Sequence, residues 1–210
     1  MSPKPAPGTR RIPPTRASRE CPTEDIFCDI RRALGLGQHA AHLAPLLPHV
    51  TFQPTDLDDS SFAAVESHSA GLANIRPPCT LDASTDWVPG LEQRLARDAG
   101  EGGGVSTVAA VFVANMTHIS PYAATQGLVK GAGAVLRAGG FLIIYGPFKK
   151  GGKHTSEGNA TFDESLRGRN AEWGYRDVEA VTQLAAEAGL RTVEVRDMPA
   201  SNFLLVFAKE

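Results

Sequence analysis

The sequence predicts an α/β fold, with a mostly parallel sheet wound by helices on both faces and an antiparallel strand at its C-terminal end. Three observations predict it. Val111-Phe112-Val113-Ala114 is an uncharged, Val-rich run suited to a central strand covered on both faces, and it stops abruptly in Asn115-Met116-Thr117-His118-Ile119-Ser120-Pro121. Strand-like and helix-like patterns alternate along most of the chain, as βαβ winding requires. The last two apolar runs, Thr192 to Val195 and Phe203 to Phe207, are joined by Met198-Pro199-Ala200-Ser201-Asn202, a link short enough for an antiparallel pair.

The totals set the class of molecule. A chain of 210 residues, 42% hydrophobic and 21% charged, can bury one substantial core and is not disordered throughout. A net charge of −2 gives no reason to expect nucleic acid as a partner. Cys21, Cys28 and Cys79 lack CxxC spacing and suit reduced thiols in an intracellular, cytoplasmic protein better than a disulfide or zinc framework. No apolar run reaches the roughly 18 residues that cross a bilayer, so no membrane partner is expected.

Element by element, residues 1–19 carry five basic residues, no acid and prolines at 3, 5, 7, 13 and 14. They predict a disordered tail, with organelle targeting as the alternative to a merely solvated one. From Thr23 to Leu34, the spacing of Ile26, Phe27, Ile30, Ala33 and Leu34 predicts an amphipathic helix capped by Thr23. It runs into Gly35-Leu36-Gly37, which opens a second helix ending before Pro48. Val50 to Asp56 is a strand ending in an acid, and Ser60 to Ser69 a helix stopped at Gly71. Cys79 to Asp82 is a short strand, Leu91 to Ala99 a short helix, and Gly100 to Gly104 a flexible loop.

After the Val111 strand, Ser120 and Pro121 start a helix that carries Leu128, Val129, Ala132, Val135 and Leu136 and ends at Gly139-Gly140. Phe141 to Tyr145 is a second buried strand, Gly146 to Thr161 a polar loop, and Phe162 to Arg167 helical. Asp177 caps a helix through Ala188, stopped by Gly189.

Three features suggest a nucleoside-bearing cofactor. Gly35-x-Gly37 at a helix start lets a ligand approach backbone N–H groups. Asp56, 19 residues after Gly37 at the end of the next strand, is placed to accept ribose hydroxyls. Asp82, ending the following strand, suits the amino group of a purine. Each acid has a structural alternative as a helix cap. Gly35-x-Gly37-x-x-Ala40 followed by an acid also meets the loose dinucleotide fingerprint, so an NAD-dependent oxidoreductase is an alternative.

Gly37-Gln38-His39-Ala40, Phe52-Gln53-Pro54-Thr55-Asp56, Asn115-Met116-Thr117-His118-Ile119-Ser120-Pro121 and Tyr145-Gly146-Pro147-Phe148-Lys149 resemble the methyltransferase-like protein 26 family. So does the segment from Gly152 to Asp163, with Trp173-Gly174-Tyr175-Arg176-Asp177 after it. That resemblance covers residues 20–210 and implies a Rossmann-like S-adenosylmethionine-dependent methyltransferase fold acting on a small polar substrate. It implies that Gly35, Gly37 and Gln38 surround the methionine part of S-adenosylmethionine, that Asp56 holds the ribose and Asp82 the adenine edge, and that Asn115 and Met116 flank the cofactor. Ser120, Tyr145, Lys149, His154, Asn159, Trp173 and Arg176 would line the substrate side. His118 is the candidate base, its ordinary pKa lying near neutrality, with a structural histidine as the alternative.

The front of the chain departs from that family, whose members place a buried, acid-ended strand before the glycine turn. Here the expected helix abuts Gly35, as though about ten residues, one strand and its turn, were missing. Three explanations follow: a splice or gene-model variant, a strand rebuilt from another segment, or a non-catalytic binding module.

Overall fold

A computed structural model describes residues 24–30, 37–99 and 106–210. The expected tail, Gly35 and the Gly100 to Gly104 loop lie outside them. Among the described residues eight strands form one sheet. They are β1 (Glu24–Ile30), β2 (Val50–Asp56), β3 (Cys79–Thr80), β4 (Ser106–Ala114), β5 (Leu136–Lys149), β6 (Arg176–Asp177), β7 (Leu190–Met198) and β8 (Asn202–Lys209). The order is β3-β2-β1-β4-β5-β8-β7, with the two-residue β6 beside the end of β5. All pairings are parallel except those of β8 with β5 and β7, so the expected antiparallel C-terminal strand is present.

The first correction concerns β1. Glu24–Ile30 is not the start of a helix but the central strand, paired in parallel with β2 on one side and β4 on the other. The strand that seemed to be missing is therefore built from this segment. Both periods fit its residues: Ile26 and Ile30 share a face at helical spacing, but so do Ile26, Cys28 and Ile30 in a strand, and all three are 0% exposed. Phe27 points the other way, its ring 5.0 Å from Phe52 and 5.9 Å from Phe112. Residues 31–34 of the expected helix lie outside the described segments.

The two sheet faces carry separate cores. Ile26, Cys28 and Ile30 join Val111, Val113, Leu142 and Ile144 under helices α3 (Val88–Ala99), α4 (Tyr122–Val135) and α6 (Val178–Glu187). Phe27 and Phe52 meet Ala40 and Ala44, from α1 (Gln38–Leu43) and the turn after it. α2 (Phe62–His68) follows β2, and α5 (Glu157–Arg169) contains the expected helix from Phe162 to Arg167 and begins five residues earlier, inside the polar loop expected from Gly146 to Thr161. Ser156 caps α5 by accepting the Asn159 N–H at 3.1 Å.

Two other boundaries differ for physical reasons. Gly139 and Gly140 do not end α4; they lie inside β5, where Gly140 passes so close to Ala109 that a Cβ would stand 3.0 Å from its carbonyl oxygen. Pro121 is the N-cap of α4, not its first residue, because Ser120 turns its hydroxyl inward to the Met116 carbonyl at 2.9 Å.

Candidate functional site

The chain winds outward from β1 through β2 to β3, then returns to β4 and winds the other way. The reversal between β1 and β4 is the switch point where open α/β sheets bind ligands, beyond the carboxyl ends of the strands. Polar residues gather at those ends: Asp29 in β1 is 1% exposed, Asp56 closing β2 is 2% exposed, Asp82 follows β3, and Asn115 follows β4. Asp29 escaped the sequence reading because the helix assigned there hid it; its signal is the one that marked Asp56, an acid finishing an apolar strand.

Asp56 is anchored. One carboxylate oxygen accepts the Leu57 N–H at 2.7 Å and the other the Ser61 hydroxyl at 2.9 Å. Asp82 accepts the Ser84 N–H at 2.8 Å and the Ser84 hydroxyl at 2.6 Å on a single oxygen. Beside Asp82 runs a slot of about 20 Å³, lined by Leu57, Leu81, Asp82, Met116, Ser120 and Ala124. That is room for about one water molecule. Gly37, at φ 81, opens α1, and a Cβ there would meet the Val65 Cα at 3.1 Å, so packing on α2 by itself requires glycine. Gln38 beside it is exposed.

Asn115 adopts φ 56, a left-handed conformation that asparagine tolerates better than most residues, and donates its N–H to the Tyr145 carbonyl at 2.8 Å. Its Oδ1 would lie 3.5 Å from a Cβ on Gly146, and His118 Nδ1 3.7 Å from the same point. His118 is 6% exposed, in the short helical turn Thr117–Ile119, and its Nδ1 is buried with no hydrogen-bond partner among the described residues. Burial, helped by the Arg176 charge and opposed by Asp163, pushes its pKa down to about 4. The imidazole is therefore neutral at pH 7. Its ring meets Phe162 and Tyr175 edge-on, at 6.1 and 6.0 Å.

The basic residues assigned to the substrate side are engaged elsewhere. Arg176 donates Nε to the Thr117 carbonyl at 3.1 Å and Nη2 to the carbonyls of Ser120 and Glu172, pinning the turn that carries His118. Lys149 and His154 lie 3.2 and 2.8 Å from one oxygen of Asp163, a residue the sequence reading passed over. Asp163 also accepts the Tyr175 N–H at 2.6 Å and pairs with Arg167 at 3.4 Å. Its sequence signal is weak, one of three acids, with Glu157 and Glu164, downstream of Lys149, Lys153 and His154 and before Arg167.

Asn159 and Tyr145 fasten the site to the β7–β8 turn: Asn159 Nδ2 donates to the Ser201 carbonyl at 3.1 Å, and Asn202 Nδ2 to the Tyr145 hydroxyl at 3.0 Å. Trp173 is half-buried in the turn after α5, its N–H donating to the Asn170 carbonyl at 3.0 Å. The structure thus groups Asn115, Met116, His118 and Ser120 after β4, and Lys149 and His154 on Asp163. It leaves Gly37 and Gln38 at the start of α1.

The fold is that of Rossmann-like S-adenosylmethionine-dependent methyltransferases. It is similar to an O-methyltransferase family 2 protein from Planctomyces limnophilus solved with apigenin, at a TM-score of 0.68 and 16% identity over 90% of this chain and 52% of that one. An O-methyltransferase family protein from Burkholderia thailandensis matches at a TM-score of 0.67 and 17% identity, over 89% and 51%. Human N-acetylserotonin methyltransferase with S-adenosylmethionine matches at 0.66 and 14%, over 88% and 47%. The chain spans about half the length of these structures. Among the described residues no helix is long and apolar enough to cross a membrane. Residues 29–209 match the family described as a protein of unknown function, DUF938, and the chain belongs to that family.

Proposed function

We propose that this chain transfers a methyl group from S-adenosylmethionine to a small polar molecule, and that within its family it is of the methyltransferase-like protein 26 type. One observation carries the reading: Asp56, Asp82 and Asn115 stand at successive strand ends around the switch point, with a mostly apolar slot beside Asp82. This donor set fits an adenosine. Asp56 is a carboxylate, the group that receives ribose hydroxyls, Asp82 has a second oxygen for an exocyclic amino group, and Leu57, Leu81 and Met116 offer apolar contact to a base. At about 20 Å³ the slot must widen to admit a base, and Met116 is an unbranched side chain suited to yielding.

When bound, S-adenosylmethionine would supply a sulfonium methyl open to direct displacement, so the protein's task is chiefly to position the acceptor. His118 is the proposed receiver of the acceptor's proton, a weaker base than an ordinary histidine because its pKa is lowered to about 4, and Arg176 holds its turn through two backbone carbonyls.

Calorimetric titration of the full chain with S-adenosylmethionine, S-adenosylhomocysteine and NAD tests the reading. Binding of either methionine derivative is expected, with Asp56→Ala weakening it at least about tenfold, or ~1.4 kcal/mol. Binding of NAD alone would overturn it in favour of an oxidoreductase. The narrow slot favours a second reading, a non-catalytic relative that keeps only the polar loop cluster as a binding surface; failure of all three ligands to bind would select that one.

A further inference from the structure

A substrate bearing a carboxylate or phosphate needs a cation to receive it, and Lys149, Arg167 and Arg176, the cations packed into this cluster, are already committed. Lys149 and Arg167 share the Asp163 carboxylate at 3.2 and 3.4 Å. Arg176 donates into three backbone carbonyls. The groups turned toward the end of β5 are instead Asn115 Oδ1, an acceptor, and His118 Nδ1, an acceptor when the ring proton is on Nε2; both stand within 3.7 Å of the point a Cβ on Gly146 would occupy. Glycine keeps that point empty. The His118 nitrogen beside it is buried, in a residue 6% exposed, and without a hydrogen-bond partner among the described residues, a condition that protein interiors rarely leave unanswered.

The wall of the cluster is aromatic. Phe162 is 43% exposed while its ring stands edge-on to both His118 and Tyr175, and Tyr122, stacked against Arg176 at 5.4 Å, is 40% exposed. Exposed rings next to an unanswered acceptor mark a place where a flat, apolar body can lie with its donor pointing inward.

We propose that Asn115 Oδ1, His118 Nδ1 and the bare backbone of Gly146 form a cradle of acceptors for the hydroxyl or amino group of an uncharged aromatic substrate, with Phe162 as its wall. The naming of this group as the methyl acceptor rests on the proposed function; the binding itself does not. Neutrality of His118 at pH 7 agrees with it, because a neutral imidazole offers a lone pair and no attraction for an anion.

The test is a fluorescence titration of the full chain at pH 7 with 1-naphthol, 1-naphthoate and 1-naphthyl phosphate, three probes with one frame and different head groups. Saturable naphthol binding at least about tenfold tighter than that of either anion is expected. His118→Phe keeps the ring and removes the lone pair, so it should weaken naphthol at least about tenfold while the unfolding midpoint does not fall. Gly146→Ala should weaken it similarly by filling the gap. Equal or tighter binding of an anion, no saturable naphthol binding, or naphthol affinity unchanged in both variants would overturn the proposal. S-adenosylmethionine titrated separately tells the two ideas apart: naphthol without S-adenosylmethionine binding keeps the cradle and removes the methyl-transfer reading, and the reverse result does the opposite.

Discussion

Asp163 is 3% exposed and is met by the Tyr175 N–H and by His154, Lys149 and Arg167. Burial alone would raise its pKa; the Tyr175 N–H, then His154, Lys149 and Arg167, outweigh it and bring the pKa down to about 2. An unfolded aspartate titrates near 3.9. The native state therefore gains from this carboxylate above about pH 4, and the gain is lost as pH falls toward 2. Asp163→Asn should cost roughly 2 kcal/mol in urea unfolding at pH 7, and the gap to wild type should close between pH 4 and 2. His118 acts in a different window. Its folded pKa near 4 lies below the ordinary 6.5, so the unfolded chain takes up a proton first as pH falls. Stability present above pH 6.5, on the order of 3 kcal/mol, is lost down to about pH 4. In His118→Phe the unfolding free energy should lose that part of its pH dependence.

At the scale of elements, β1 shows how two periods can coincide. Ile26, Phe27 and Ile30 satisfy a helix pattern, and the acids at Glu24 and Asp25 look like a first turn. Pairing on both sides overrides that local preference, since a parallel sheet of this order needs a central strand. Hydrogen exchange checks it: the amides of Ile26 to Ile30 should exchange as slowly as those of β4, whereas an exposed helix in their place would exchange orders of magnitude faster. In α4 the glycines are the informative residues. A Cβ at Gly131 would stand 2.2 Å from the Trp87 ring, whose Nε1 donates to the Gly127 carbonyl at 3.0 Å. Gly131→Ala, which helix propensity alone would favour by up to about 1 kcal/mol, should instead lower stability by about 1–3 kcal/mol in denaturant melts. The strands β2, β4 and β8 and the helix α6 were legible because their apolar runs and caps are local. The extent of β5 was not, because Gly139 and Gly140 read as a stop signal until the neighbouring strand is known.

Across the whole molecule, the class of fold could be read from alternation alone, while the internal ties of the site could not. Arg176 reaches the Thr117 carbonyl across 59 positions and the Ser120 carbonyl across 56, spans that carry no sequence period. The motif containing Asn115 and His118 drew attention to itself by ending a buried run. Asp163 and Gly146 carry comparable weight and look ordinary in sequence, because their importance lies in what converges on them from other elements. The acids at the strand ends were legible as residues, yet their present bonds to Leu57, Ser61 and Ser84 are those of caps and turns, which the same pattern predicts equally well.

The turn between β7 and β8 gives the protein an order of assembly. Ala200 and Ser201 sit at φ 58 and 55, and this small kink supplies the Ser201 carbonyl to Asn159 and the Asn202 amide to Tyr145. A growing chain emerging from the ribosome has made every candidate acid, base and amide of the cluster before it makes these two clasps. Until residues 201 and 202 are out and β8 has slid between β5 and β7, the Tyr145 hydroxyl and the Asn159 amide lack these two ties, although β4 already pairs with Tyr145 and Thr155 already holds Asn159. These two ties are thus among the last to form, and a premature stop at residue 198 would release a product with every named side chain of the cluster but without the β8 strand and the turn that clasp Tyr145 and Asn159.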